Sequence, residues 1–226
     1  MNENEHPIKL IIEAHTASVL SGNIPFPEGP CPKCHKTHGF FKIHEYRKRS
    51  FRYIVSSFVH KCISFLVRFK CSICNSTFTD YPSFAIPHKH YVIDDIERLS
   101  QIYTQKQSAT YRNTVNHENM PIGYHSEDNT IDERQLSHSS LWRWISFFGK
   151  MNQHLSNTLD LIRQKAPETH IFRENMLYPL PTHKYRSQHR KIILQTAQLL
   201  ILTRESFESF FGKSSFPRFA TANAWS

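Results

Sequence analysis

Cys31-Pro32-Lys33-Cys34, and then, after 33 intervening residues, Arg68-Phe69-Lys70-Cys71-Ser72-Ile73-Cys74-Asn75-Ser76-Thr77-Phe78-Thr79, decide the fold of the N-terminal part of this 226-residue chain. A two-residue spacer lets both sulfurs of a Cys-x-x-Cys pair face one ion, because the tight turn between them aims backbone amides at the thiolates. Four thiolates close a tetrahedral sphere at about 2.3 Å per bond, which leaves no position for a reacting water. Cys31, Cys34, Cys71 and Cys74 are therefore expected to hold one structural Zn2+, and binding it would contribute folding free energy directly. Two disulfides are the alternative, but the opening Met1–Glu5 is polar and acidic, unlike a secretory signal, so a reducing compartment is expected. The fifth cysteine, Cys62, sits in the apolar run Ile63–Val67 and reads as an inert buried thiol.

Working outward, the residues between the pairs read as strands. Gly39–Tyr46, Phe51–Val55 and Cys62–Phe69 are rich in aromatic and branched residues, with Arg47-Lys48-Arg49-Ser50 as a basic loop joining the first two. Two knuckles with antiparallel strands extending from them make a zinc ribbon over residues 31–90, preceded by an arm at 1–30. Pro82 and Pro87 mark an extended linker that ends it.

Helical patterning follows. Val92, Ile93, Ile96, Leu99, Ile102 and Tyr103 recur at three- and four-residue steps, with Asp94, Asp95 and Glu97 in the first turns, predicting a helix over 92–106. Residues 107–135 lack apolar periodicity and read as a polar insert. From His138 a second helix carries Leu141, Trp144, Ile145, Phe148 and Met151 on one face, capped by Ser137 or Ser139. Residues 156–226 contain a proline-bearing loop at 166–184, a long apolar helix over 187–211, and a tail from Ser214 expected to lack structure. The fold class is thus α+β: an antiparallel ribbon, then a helical region at 91–155 and a C-terminal helical part.

Charge is segregated. The chain carries 28 Lys plus Arg against 19 Asp plus Glu, a net +9. Residues 31–90 alone hold +9 and residues 138–226 hold +7, separated by an acidic block of −4 over 91–137. Two basic blocks suit a polyanionic partner. No stretch approaches the roughly 20 apolar residues of a membrane helix.

Two segments resemble known families. The Cys-Pro-x-Cys knuckle, the strands and the Arg68–Thr79 run resemble the N-terminal zinc ribbon of bacterial insertion-sequence transposases and their small DNA-binding partners. Tyr81–Tyr91 is similar to the segment that follows the ribbon in a group of bacterial mobile-element proteins, where a helix-turn-helix comes next. The resemblance covers roughly residues 25–155. His35 departs from it, since such ribbons often carry Gly after the first knuckle, and the polar insert is a larger departure. Leu136–Ile145 resembles the turn and recognition helix of a helix-turn-helix. That arrangement implies that His138, Ser139, Ser140 and Arg143 face the major groove, with Lys150 near phosphate. The alternative is an ordinary core helix with an exposed polar side.

The expectation is a non-catalytic, zinc-dependent protein that binds double-stranded DNA, transposition-associated or regulatory, in the bacterial cytoplasm at the nucleoid. Lys42, Arg47, Lys48, Arg49 and Arg52 of the ribbon would contact phosphates, and the helix from 138 would add base contacts. Asp94, Asp95, Asp128, Asp132, Glu133 and Asp160 do not assemble into a carboxylate triad by pattern, and His88-Lys89-His90 lacks the hydrophobic centre of a nucleophilic-tyrosine enzyme's metal pair. An accessory subunit that binds a transposase, an RNA-binding ribbon, and a nuclease or transposase remain as alternatives. A homodimer reading paired half-sites is compatible with the helix-turn-helix resemblance.

Overall fold

The computed structural model describes residues 6–27, 29–37, 40–55, 58–106, 108–115, 131–133, 136–173, 186–212, 214–216 and 219–220. The chain divides into two compact units. One comprises residues 1–93, 125–133 and 216–226; the other comprises 94–124 and 134–215.

The first unit is built on a long antiparallel ladder. Strand β1 (Phe41–Val55) pairs with β2 (Phe58–Cys71) from Phe41↔Cys71 to Val55↔Phe58, with an irregularity between Ile43 and Glu45. Strand β3 (Thr77–Asp80) pairs with the far edge of β2 through Phe69↔Phe78 and Arg68↔Thr79. The short β4 (Ile131–Glu133) meets that same edge of β2 near Val59 and His60. The expected basic loop at Arg47–Ser50 is not a loop: it runs unbroken through the middle of β1, where Lys48 faces Phe65 and Arg49 faces Ser64. Cross-strand partners outweigh the poor intrinsic strand preference of a charged run.

The expected N-terminal arm contains helix α1 (Pro7–Leu20), with Pro7 in the first turn, where its missing N–H costs nothing. Ile8 and Ile12 are buried with Phe51, Tyr53 and Leu66, and Val19 with Val67, Phe69 and Phe78. The Thr16 hydroxyl donates to Ile12 O at 2.7 Å and lies 2.8 Å from Ser64 Oγ, tying the helix to β2.

The expected linker at Pro82–Pro87 is core instead. Tyr81, Phe84, Ala85, Ile86, Tyr91 and Val92 are buried. Tyr91 forms a parallel bridge to Arg52, whose N–H donates to His90 O at 2.8 Å while Val92 N–H donates to Arg52 O at 2.9 Å. The segment thereby covers part of the free edge of β1, which would otherwise present unpaired backbone groups. The tail is also corrected. Residues Phe219–Ala220 form β5, paired with Asp80 and Thr79 of β3, and Phe216 is buried.

The second unit is helical. Helix α2 (Ile93–Gln105) follows its predicted span closely, and α4 (His138–Phe148) buries the four residues Leu141, Trp144, Ile145 and Phe148. Ser137 stands at the N-cap of α4, but its hydroxyl lies 2.8 Å from Ser139 Oγ and caps no backbone N–H. Within the predicted polar insert, Tyr111–Val115 forms the short helix α3 and Ile131–Glu133 forms β4; residues 116–130 lie outside those described. Helix α5 (Asn152–Lys165), the one-turn α6 (His170–Arg173) and α7 (Gln188–Phe211) complete the unit. Ser187 caps α7 by accepting from Arg190 N–H at 3.3 Å, and Gly212 ends it at φ 63°, the left-handed conformation that glycine adopts without steric cost.

Two polar clusters join these helices. Arg204 of α7 bonds Glu97 of α2 and its own neighbour Glu208 at 2.8 Å, and lies 3.8 Å from Asp94. Tyr103 of α2 stacks on Tyr111 of α3 at 4.2 Å between ring centres. Arg186 and Arg190 both lie over Tyr111, and Arg190 also over Trp142 at 5.4 Å. Burial and the contact with Tyr111 push the Tyr103 phenol upward.

Candidate metal centre and basic cleft

The two knuckles repeat one local geometry. Cys31 N–H donates to Lys36 O and Cys71 N–H to Ser76 O, while His35 N–H returns to Cys31 O and Asn75 N–H to Cys71 O, all at 2.8–3.1 Å. Inside each turn a backbone amide reaches the first sulfur: Lys33 N–H to Cys31 Sγ and Ile73 N–H to Cys71 Sγ, both 3.4 Å. The four ligand sulfurs lie within 4.8 Å of one another, and Cys31 Sγ is 3.9 Å from Cys74 Sγ. A tetrahedron of thiolates around an ion at about 2.3 Å has edges of about 3.8 Å, so the cluster could hold a metal ion with little rearrangement. Among the described residues no other group of His, Cys, Asp or Glu is so arranged.

The thiols are unlike one another. Burial raises Cys31 to about 11, whereas the Ser76 backbone N–H and hydroxyl lower Cys74 to about 6. Cys31 and Cys71 are buried, and Cys34 and Cys74 half-buried, so the site is closed on one side and approachable on the other. Phe78, 2% exposed, packs edge-on to Phe41 and against Phe69 in the adjoining core. Cys62 lies apart, half-buried, its thiol raised by burial first and by Glu13 second.

Next to the knuckles, unit 1 carries a cleft of about 600 Å3. Strand alternation builds it. Arg47 and Arg49 lie two apart on β1, Leu66 and Arg68 two apart on β2 with Leu66 opposite Arg47, and Thr77 and Thr79 two apart on β3 with Thr79 opposite Arg68. Lys33 of the first knuckle and Lys48 add charge. His88 and His90 enter from the segment after β3, where Ile86–Lys89 is a turn closed by Lys89 N–H to Ile86 O at 3.0 Å. With Pro87 second and His88 third at φ 65°, this is a type II turn.

The ribbon cations expected to contact phosphate divide by environment. Lys42, Arg47 and Lys48 are exposed on β1. Lys42 lies 5.5 Å from the centre of the exposed Phe40 ring. Arg47 donates from Nε to Glu45 Oε1 at 2.5 Å, and Arg68 reaches that same oxygen at 2.9 Å. These bonds, Arg68's first, hold the Glu45 carboxyl below the usual range. Arg49 is structural: its guanidinium donates to Lys89 O at 2.9 Å and Tyr81 Oη at 3.3 Å, and lies over both Phe51 and Tyr81. Arg52 is half-buried over Tyr91. Neither Arg49 nor Arg52 has the exposure of Lys42 or Lys48.

In the second unit, His138, Arg143 and Lys150 are exposed, and Ser139 and Ser140 half-buried, on or just after α4. Trp142, which the sequence did not single out, is half exposed beside Arg143. Of the carboxylates weighed in the sequence, Asp95 pairs with Arg98 at 3.2 Å, Asp94 lies 3.8 Å from Arg204 and Asp160 lies 3.9 Å from Arg163. Asp128 lies outside the described residues. No described helix is long and apolar enough to cross a membrane.

Sequence reasoning missed Lys33, Arg68, Thr77, Thr79, His88 and His90 as a group. Period-two alternation could have joined the strand residues, but only once the register of β1 against β2 and β3 was known.

Residues 31–118 match the description of a domain of unknown function, DUF6431. That span begins at the first knuckle and ends beyond α3. No curated protein matches the chain, and neither does any solved structure.

Proposed function

We propose that this chain is a zinc-dependent DNA-binding protein whose ribbon engages the phosphate backbone of duplex DNA. The observation that carries the reading is the row of exposed cations Lys42, Arg47 and Lys48 along β1, a strand whose end is fastened at Phe41↔Cys71 to the four-cysteine cluster. Zinc suits the cluster because it favours four thiolates in a tetrahedron and has no redox chemistry to disturb them. Loading it would bring the two knuckles together and so set the register of the strands that bear the cations.

Helix α4 supplies the second element of the reading, as the recognition helix that the resemblance of Leu136–Ile145 implies. Its exposed His138 and Arg143, with Ser139 and Ser140 at the helix start, present donors suited to base edges, and Lys150 suits a phosphate. A role in transposition or its regulation follows from the resemblance of residues 25–155 to mobile-element proteins.

The test is one preparation assayed for metal content and duplex affinity over a salt series, with and without a zinc chelator. About one zinc per chain, with affinity that falls steeply with salt and is lost on chelation, is the expected result. Zinc without duplex affinity refutes the reading and leaves the ribbon a scaffold for a protein partner such as a transposase.

One observation favours a second reading. Phe40, 63% exposed, and Tyr46, 47% exposed, alternate with Lys42 and Arg47 on and beside β1. Cations interleaved with open aromatic rings suit unpaired bases, which stack, better than a closed duplex. Competition of single-stranded DNA or RNA against duplex separates the two.

A further inference from the structure

We infer that the cleft beside the first knuckle is a phosphate-binding site, sized for a diphosphate or for a phosphate and its attached sugar. The inference deepens the nucleic-acid reading and rests on it only for what carries the phosphate.

Three observations converge. The cavity, about 600 Å3, lies in the range of small-ligand sites and is far too small for a duplex. Its rim brings together cations from three separate segments: Lys33 from the knuckle, Arg47 and Lys48 from β1, and Arg68 from β2. Cations converging on a concave surface focus a positive potential, which a multiply charged anion answers better than a carboxylate does. Thr77 and Thr79 place two hydroxyls on the β3 side, the donors a phosphate oxygen takes beside guanidinium.

Glu45 explains why the site can be ready before an anion arrives. A single oxygen, Oε1, accepts from Arg47 Nε and from Arg68. Each guanidinium has five N–H donors in a planar fork, so these bonds orient both arginines and leave donors for a ligand. Glu45 is therefore a positioning residue, and like charges that would repel across the cleft are held in place by it. Arg49 does the same for the opposite wall, since its bonds to Lys89 O and Tyr81 Oη fix the turn that carries His88 and His90.

The experiment uses the zinc-loaded full chain and two probes at constant ionic strength: inorganic pyrophosphate, and a short single-stranded thymidine oligonucleotide. Binding is followed by calorimetry and by amide shifts at Thr77 and Thr79. The test variant is R47A/K48A, both exposed and so tolerated by the fold; the control is K165A, an exposed lysine in the other unit. Expected are pyrophosphate-induced shifts at Thr77 and Thr79, and affinity at least tenfold weaker in R47A/K48A but unchanged in K165A. Pyrophosphate that binds with no shift at these amides, or binds the double variant as well as the parent, or does not bind at millimolar concentration, overturns the inference. The arms also separate it from the broader reading. Pyrophosphate bound at the cleft while neither oligonucleotide nor duplex binds keeps the site and removes the nucleic acid. Oligonucleotide or duplex bound with the cleft amides silent does the reverse.

Discussion

His35 and Asn75 occupy the same left-handed backbone well, at φ 58° and 57°, each one residue beyond the second cysteine of its knuckle. The well is forced by geometry: the chain must turn back so that His35 N–H meets Cys31 O and Asn75 N–H meets Cys71 O. The Cβ of either residue crowds the following carbonyl there, and asparagine's short side chain can offset the cost by hydrogen-bonding locally.

Replacing His35 by Gly is expected to stabilise the zinc-loaded protein by about 0.5–1 kcal/mol, after the extra freedom given to the unfolded chain is deducted. His35→Val should destabilise it by more than that gain, because a branched side chain fits the well least. Thermal midpoints at fixed zinc concentration check both.

Arg49 and Lys48 are neighbours with opposite duties. Arg49→Ala removes two hydrogen bonds and two ring contacts, and is expected to cost about 2–3 kcal/mol of stability in urea denaturation. Lys48→Ala is expected to stay within about 0.5 kcal/mol of the parent while lowering the salt slope of nucleic-acid binding by about one. Equal stability losses in the two variants would contradict the division.

That division was hidden in the sequence. Arg47-Lys48-Arg49 reads as a uniform basic run, and only the ladder reveals that Arg49 turns toward Tyr81 and Lys89 while Lys48 stays exposed. The clustering of Cys31, Cys34, Cys71 and Cys74, by contrast, was legible because the spacing within each pair is a local property and two such pairs converge in few arrangements. Helices α2, α4 and α7 were legible for the same reason, since a 3.6-residue period is written within one segment. The course of Pro82–Val92 was not: its prolines signal a break, but its burial depends on α1 and β1, far off in sequence. The pairing of Phe219–Ala220 with β3 is another long-range fact that a two-residue strand cannot announce.

Gly149 closes helix α4 against α7, and a Cβ built there would collide with the backbone carbonyl of Ile193. Backbone cannot rotate away as a side-chain tip can. Gly149→Ala is expected to destabilise the helical unit by at least about 2 kcal/mol, read as an earlier loss of helical circular dichroism.

His154 of α5 is half-buried, and burial holds its pKa below the ordinary 6.5 in spite of a ring hydrogen bond to the Ser215 backbone, which raises it. As pH falls, the unfolded chain takes up the proton before the folded one does. The neutral ring's contribution is therefore complete above 6.5 and is lost as pH falls through 6.5 toward the lower folded value. Denaturation midpoints between pH 7.5 and 6 should fall more steeply for the parent than for His154→Gln.

The discontinuity of the first unit has a consequence for synthesis. Its sheet takes β1, β2 and β3 from the first part of the chain, β4 from residues 131–133 and β5 from residues 219–220, with the helical unit's residues encoded between. A ribosome therefore delivers both knuckles well before it delivers the strand that seals β3. An ion bound by the four cysteines would be captured early and would hold β1 and β2 in register while more than 100 residues emerge behind them. A metal held there would act in time as well as in space, guarding an unfinished sheet until the strand at 219–220 arrives.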